Sequence, residues 1–209
     1  MTKSICHYET IPSDLMDIIE EDLANNWDSQ MQVSRLQGNV QNVEKRNSQN
    51  AWVPTTNWLG GLVWHYFKKA NDDFFNYKLD AIDCESMQYT HYGLNERYDW
   101  HIDEGLAAYY KPQIVSSRAR ETLDGWRQDY LNIQAERVRK LSAIIQLSEE
   151  DDYEGGSTQI MDVDQTLYTL PKQRGTIVFF DSRLHHRAKT VKKGLRKSLI
   201  CWAVGPRWK

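Results

Sequence analysis

The apolar residues of this 209-residue chain change their spacing near residue 80, and that change constrains the fold more than anything else in the sequence. Before it the spacing is helical. Pro12 or Ser13 can open a helix whose apolar face is marked by Leu15, Ile18, Ile19 and Leu23. Residues 25–56 are polar and aperiodic, which reads as loops with short strands. Asn57 is a candidate N-cap for a second helix that carries Leu59, Leu62, Val63, Tyr66, Phe67 and Ala70, with Gly60 and Gly61 lowering the propensity at its start. After residue 80 the runs are short and rich in strand formers: 85–92, 98–102, 141–147, 158–161, 167–170, 176–180 and 198–204, separated by an acidic turn at 149–156 and by Gly175. Helices followed by strands predict an α+β chain, mainly β, rather than alternating βαβ units. Short strands with Gly and Asp turns predict a sandwich or a barrel. One stretch, 106–137, breaks the strand run. It is long, charged and weakly helical, and reads as an insertion: a lid, a binding loop or a disordered segment.

The length suits one domain with a sizeable core. No apolar run approaches the roughly 18 residues of a membrane span. The start, Met1-Thr2-Lys3-Ser4, lacks the apolar stretch of a signal peptide, so a cytoplasmic protein without a membrane partner is expected. Cys6, Cys84 and Cys201 are few, odd in number and far apart, which argues against a disulfide framework and fits a reducing compartment. The net charge of −3 is unevenly spread, since Asp181 is the single acidic residue from Pro171 onward among many Lys and Arg. The plain reading is a solvated basic face; the alternative is attraction for an anion, either an acidic cosubstrate or a nucleic acid.

The segment Tyr98-Asp99-Trp100-His101-Ile102-Asp103 carries the chemistry. In a strand, residues i and i+2 face the same way, so His101 and Asp103 can reach one metal together. A second His from a distant strand would complete a 2-His-1-carboxylate triad, which leaves coordination positions open and suits non-haem Fe(II) oxygenases. Alone, His-x-Asp is a weak signal. Near the C-terminus stand His185 and His186, which alternation places on opposite faces, so only one of the two can be a ligand. His91 and His65 have no such context. Trp100, beside a candidate ligand, either lines a cleft or packs.

The run from Thr176 through Asp181, His185, His186, Val191, Gly194, Arg196, Ser198 and Leu199 to Trp202 resembles the prolyl 4-hydroxylase-like branch of the 2-oxoglutarate/Fe(II)-dependent dioxygenase superfamily. So do Met87-Gln-Tyr89-Thr-His91-Tyr92-Gly93 upstream of His101, and Ser142 to Leu147 followed by Gly155-Gly156. The resemblance covers roughly residues 70–202. It implies a double-stranded β-helix (a cupin-like jelly roll), with residues 1–80 as helical support and 85–204 as a core interrupted by 106–137, all in one domain over 1–209. It implies His101, Asp103 and His186 as Fe(II) ligands, the spacing to Arg196 selecting His186 over His185. Arg196 is the implied anchor for the far carboxylate of 2-oxoglutarate, with Tyr92 and Ser198 beside it; the planar guanidinium suits a carboxylate. Fe(II), 2-oxoglutarate and O2 are the implied cofactors, with ascorbate an optional reductant. The implied reaction is hydroxylation of an unactivated C–H, with decarboxylation of 2-oxoglutarate to succinate.

Two departures matter. The collagen-type branch usually carries Lys at the anchor, and the insertion at 106–137 lengthens the interval between Asp103 and His186. Substrate choice in this superfamily depends on such loops. A peptidyl residue such as proline is the expected target. The alternatives are a free amino acid or other small molecule, and a non-catalytic metal-binding module of the same fold. Nucleic acid is not expected, because the related demethylases carry a further Arg about six positions after the anchor, where this chain has Trp202.

Overall fold

A computed structural model describes residues 5–35, 42–83, 86–104 and 137–208. Strand β1 (Ile5–Thr10) leads into helix α1 (Ser13–Trp27). Then come β2 (Gln32–Val33), β3 (Arg46–Asn47), β4 (Gln49–Pro54), helix α2 (Trp58–Ala70), β5 (Ala81–Ile82), β6 (Ser86–Tyr92) and β7 (Arg97–His101). After the 106–137 stretch, of which only Arg137 is described, follow β8 (Arg137–Gln146), β9 (Tyr153–Gly155), β10 (Thr158–Met161), β11 (Leu167–Thr169), β12 (Thr176–Asp181), β13 (His185–Ala188), β14 (Val191–Gly194) and β15 (Arg196–Pro206).

The strands form an eight-stranded sheet in the order β1-β12-β8-β15-β6-β4-β2, with β5 added beside β15, and a five-stranded sheet in the order β11-β10-β13-β7-β3. Every pairing is antiparallel. The two sheets are the layers of a jelly roll. Both faces of the large sheet are covered, which is why β8 and β12 are buried almost throughout rather than on alternate residues. One face carries Leu141, Ala143, Ile145, Ile177, Phe179, Leu199, Cys201 and Ala203 against α1 and α2. The other carries Ile144, Val178, Phe180 and Ile200 against Ile160, Leu170 and Leu184 from the small-sheet side. This second face is the barrel interior. Register divides it into tiers along β15 and β8: Ser198 sits opposite Gln146, Ile200 opposite Ile144, and Trp202 opposite Ser142.

The helices follow their sequence pattern with one correction. In α1, Met16, Ile19 and Leu23 are buried, but Ile18 is 56 % exposed. The buried stripe runs at intervals of three and four through Ile19, and Ile18 falls about 100° off it. Asn57 caps α2, its side chain accepting from Leu59 N–H at 2.9 Å. Gly60 is required there by space, because a Cβ would come 2.2 Å from the Thr55 carbonyl oxygen, whereas Gly61 faces open space. The N-terminal region also supplies β1 and β4 to the large sheet, so its contribution is more than helical. Gly155 and Gly156 both adopt positive φ (78° and 59°), the conformation a Gly-Gly turn exploits. Cys201 is free and buried. The side chain of Cys6, and Cys84 altogether, lie outside the described residues.

Candidate metal centre

His101 ends β7, His186 lies on β13, and the two are directly paired across the strands. Asp103 lies two residues past the end of β7. One ligand atom from each of His101, Asp103 and His186 lies within 4.8 Å of the others, a group able to hold a metal ion. His186 Nε2 is 3.3 Å from Asp103 Oδ2, and His101 Nε2 is 3.9 Å from Asp103 Oδ1. His185 is exposed and His186 buried, as alternation requires of neighbours on a strand.

The surroundings prepare these atoms for a cation. His101 Nδ1 donates to the Asp99 carbonyl at 2.7 Å, and His186 Nδ1 donates to the Leu184 carbonyl at 3.1 Å. Each ring therefore keeps its proton on Nδ1 and turns the Nε2 lone pair inward. Ser142 Oγ donates to Asp103 Oδ2 at 2.7 Å and lies 2.9 Å from Ser182 Oγ. Burial, reinforced by the neighbouring His186, pushes the His101 imidazole down to about 3, so it is neutral at ordinary pH. Burial also acts against a charge on His186, but the Asp103 carboxylate and the Leu184 carbonyl outweigh it and raise that imidazole. Asp103 is held well below the usual carboxylate range: burial favours its neutral form, and the two histidines more than reverse that. Neutral imidazoles and an ionised carboxylate, with the other ring nitrogens satisfied, are a donor set that fits Fe(II).

The other expected residues lie on the same interior face. Arg196 opens β15 opposite Tyr92, the end of β6, with its Cζ 5.5 Å from that ring's centre. It is 3 % exposed. Its Nη2 donates to Thr158 Oγ1 at 3.0 Å and Gln146 Oε1 at 3.3 Å, and among the described residues it has no carboxylate partner. Ser198, one step along the same face, is fully buried, and its Oγ has no hydrogen-bond partner among the described residues. A buried cation with only neutral acceptors, beside an orphaned hydroxyl, fits the carboxylate of an acidic cosubstrate.

Several neighbours were not singled out in the sequence. Gln146 and Thr158 orient Arg196, and Ser142 and Ser182 orient Asp103. Tyr98 stacks on His101 with ring centres 3.5 Å apart, and Arg46 lies over Tyr98 at 4.7 Å. Arg139, bonded to Asp83, lies 3.9 Å over the Trp202 ring. These are polar or aromatic residues spread along the sequence, several of them on β8 and one, Ser182, in the turn after β12, and only the folded sheets bring them together. Trp100 instead packs under Arg187 at 4.6 Å, on the face of β13 opposite His186, so it is a packing residue and not part of the cluster. His91 lies against Tyr89 and 3.7 Å from Asp28, and His65 is exposed on α2; neither approaches the site. No helix is long and apolar enough to cross a membrane among the described residues.

The family model for the 2OG-Fe(II) oxygenase superfamily matches residues 87–204, more than half of the chain. No curated protein matches. Among solved structures, a prolyl-4-hydroxylase from Pseudomonas putida is 16 % identical with a TM-score of 0.66, over 97 % of this chain and 92 % of that one. A prolyl hydroxylase from Trichoplax adhaerens, in complex with a hypoxia inducible factor peptide fragment, is 15 % identical with a TM-score of 0.70, over 96 % and 84 %. A viral collagen prolyl hydroxylase from Paramecium Bursaria Chlorella virus-1 is 14 % identical with a TM-score of 0.60, over 96 % of each chain. Identities this low establish a shared fold.

Proposed function

The chain belongs to the 2OG-Fe(II) oxygenase superfamily, and from that premise we propose that it hydroxylates an unactivated C–H of a peptidyl residue, proline first among them, while 2-oxoglutarate is decarboxylated to succinate. In this reading His101, Asp103 and His186 hold Fe(II), and Arg196, helped by Ser198 and Tyr92, holds the far carboxylate of 2-oxoglutarate, all within one domain. The observation that carries it is the convergence of the three candidate ligand atoms within 4.8 Å, on the interior face that also presents an Arg196 without a counter-ion among the described residues.

The bound metal, cosubstrate and O2 supply the oxidising chemistry; the residues bind, orient and keep water out. The Asp99 and Leu184 carbonyls hold Nδ1 of each imidazole, so that Nε2 would be the nitrogen offered to a metal. Ser142 holds one carboxylate oxygen of Asp103, so the carboxylate cannot rotate freely. Ile144, Ile160 and Ile200 form a dry band between the ligands and Arg196, against which the hydrocarbon part of 2-oxoglutarate would lie.

A peptide target is supported by two buried donors near the candidate ligands that lack acceptors among the described residues. Trp202 Nε1 has no partner, and Trp202 sits opposite Ser142, the residue bonded to Asp103. Arg46 Nη2 has none either, and Arg46 lies over the Tyr98 ring that stacks on His101. Unpaired donors flanked by aromatic rings suit the carbonyl oxygens and apolar ring of a prolyl segment. The test is to add Fe(II) and 2-oxoglutarate to metal-free protein under argon, look for the visible iron-to-oxoglutarate charge-transfer band, then admit O2 with ascorbate and assay succinate against prolyl peptides and free amino acids. The expected result is the band, then succinate that rises with peptide. Succinate that rises only with a free amino acid would replace the peptide reading. No band in folded protein would overturn the oxygenase reading in favour of a non-catalytic module.

A further inference from the structure

We propose that Trp208 is a positioning residue for the metal-binding carboxylate: through its indole N–H it fixes Glu104, and with it the loop that carries Asp103. The inference rests on the reading of Asp103 as a ligand. His101 and His186 are located by strand pairing, but Asp103 is not, because β7 ends at His101 and residues 102–104 belong to no strand. Its position must come from other contacts. On one side, the Ser182 carbonyl accepts from both Asp103 N–H (3.0 Å) and Glu104 N–H (2.8 Å). On the other, Trp208 Nε1 donates to Glu104 Oε1 at 2.9 Å.

Trp208 is itself firmly held. Lys140 Nζ and Arg183 Cζ lie over its ring at 4.1 and 4.0 Å, and Tyr77 meets it edge-on at 4.9 Å and 84°. Arg183 and Tyr77 are locked in turn by Asp181, a 2 % exposed carboxylate that takes two hydrogen bonds from the Arg183 guanidinium and one, at 2.6 Å, from the Tyr77 hydroxyl. The same backbone serves both ends of the arrangement. Arg183 adjoins Ser182, and the Lys140 carbonyl accepts from Ser182 N–H at 3.2 Å. Docking the indole alone would need only its ring, which cations attract by its π-face. The N–H bond to the residue next to a ligand is the part that docking does not require.

The test separates the ring from the N–H. Trp208→Phe keeps an aromatic face for Lys140 and Arg183 but has no donor for Glu104. Glu104→Ala removes the acceptor, and Glu104→Gln keeps one. Each variant, with the double variant and Asp103→Ala, is titrated with Co(II), reading affinity and the visible ligand-field spectrum, with far-UV circular dichroism to confirm folding. Residues bonded to metal ligands commonly contribute about 10–100-fold in affinity, and Trp208 is one step further out, so Trp208→Phe and Glu104→Ala should each weaken Co(II) roughly 3–10-fold and perturb the spectrum. Glu104→Gln should restore both, and the double variant should be no weaker than either single one. Wild-type affinity and spectrum in Trp208→Phe, or losses that add in the double variant, would overturn the inference and leave the ligand reading intact. If Asp103→Ala binds Co(II) as well as the wild type, the ligand reading falls, and this inference with it.

Discussion

Replacing Arg196 by Met separates the two consequences of burying a cation without a counter-ion. In the ligand-free protein the guanidinium makes hydrogen bonds at 3.0 and 3.3 Å to Thr158 and Gln146, both neutral. Losing them costs about 1.5–3 kcal/mol each, and the two acceptors left behind are part of that cost. Removing a desolvated, unpaired charge returns a comparable or larger amount, of the order of several kcal/mol. Met fills most of the same length, so little cavity is left. Ligand-free stability should therefore be unchanged or raised by up to about 2 kcal/mol, which for a chain of this size is a Tm increase of up to roughly 8 °C. Binding should move the other way. A bidentate, charge-assisted contact to a carboxylate contributes about 1.5–3 kcal/mol per bond, so 2-oxoglutarate should bind at least about 100-fold more weakly. The assay is thermal melting of Mn(II)-loaded protein under argon with and without 2-oxoglutarate. At 100 times its Kd the ligand adds about 2.7 kcal/mol to the wild type, a rise of roughly 5–11 °C, and should add almost nothing to the variant. A variant that melts well below the wild type without ligand, or that gains as much from 2-oxoglutarate, would refute the anchor and the reasoning behind it.

Three further outcomes are expected. His186→Ala should abolish succinate formation and Co(II) binding, while His185→Ala, at an exposed position, should keep most of both; a fully active His186→Ala protein would remove it from the ligand set. Gly61→Ala should stabilise the fold by up to about 1 kcal/mol through helix propensity, whereas Gly60→Ala should destabilise it by more than that, because its Cβ meets the Thr55 carbonyl at 2.2 Å; denaturant melts that rank the pair the other way would contradict the packing of α2. Asp181→Asn should cost about 1.5–3 kcal/mol near neutral pH. Burial alone would raise the Asp181 carboxyl, but the bonds from Arg183 and Tyr77 lower it below its ordinary value. Its contribution is therefore complete above roughly pH 4, the unfolded value, and lost as pH falls through the depressed folded value. The gap between wild type and variant should close on acidification, and a gap that persists to low pH would show that the charge is not its source.

What the sequence made legible follows from what local pattern encodes. Asn57 and the Leu59-to-Ala70 spacing announce α2 because cap and amphipathic stripe are both local. The strand at 158–161 and the opposite exposure of His185 and His186 follow from a period of two. The set His101, Asp103, His186, Arg196, Tyr92 and Ser198 was named through a resemblance of motif order; register brings five of them to one interior face, and the backbone bond of Asp103 to the Ser182 carbonyl, outside any strand, brings the sixth. Other features were not local. Strand β1 has a short, mixed sequence, and its place beside β12 is a long-range pairing. Gln146, Thr158, Ser142 and Ser182 look like ordinary polar residues until the sheets close around them. Ile18 misled because an apolar residue one position off a helical stripe still counts toward it by eye.

The tiered interior is, in effect, a gauge for ligand length. Along β15 and β8 the Ser198–Gln146 tier, the Ile200–Ile144 tier and the Trp202–Ser142 tier succeed one another every two residues, about 7 Å apart. Polar contacts are offered at the bottom and at the top; in between stand Ile200 and Ile144, beside a Gln88 whose amide is turned to Thr90. On the proposed reading, a diacid that satisfies both poles must cross the isoleucine band with a short chain of methylenes. A homologue one carbon shorter would have to abandon either Arg196 or the metal, and one carbon longer would have to buckle against rigid side chains. Selection among small diacids would then rest on Arg196 and on the register of one strand pair, β15 with β8, which sets the distance from that anchor to the ligand tier.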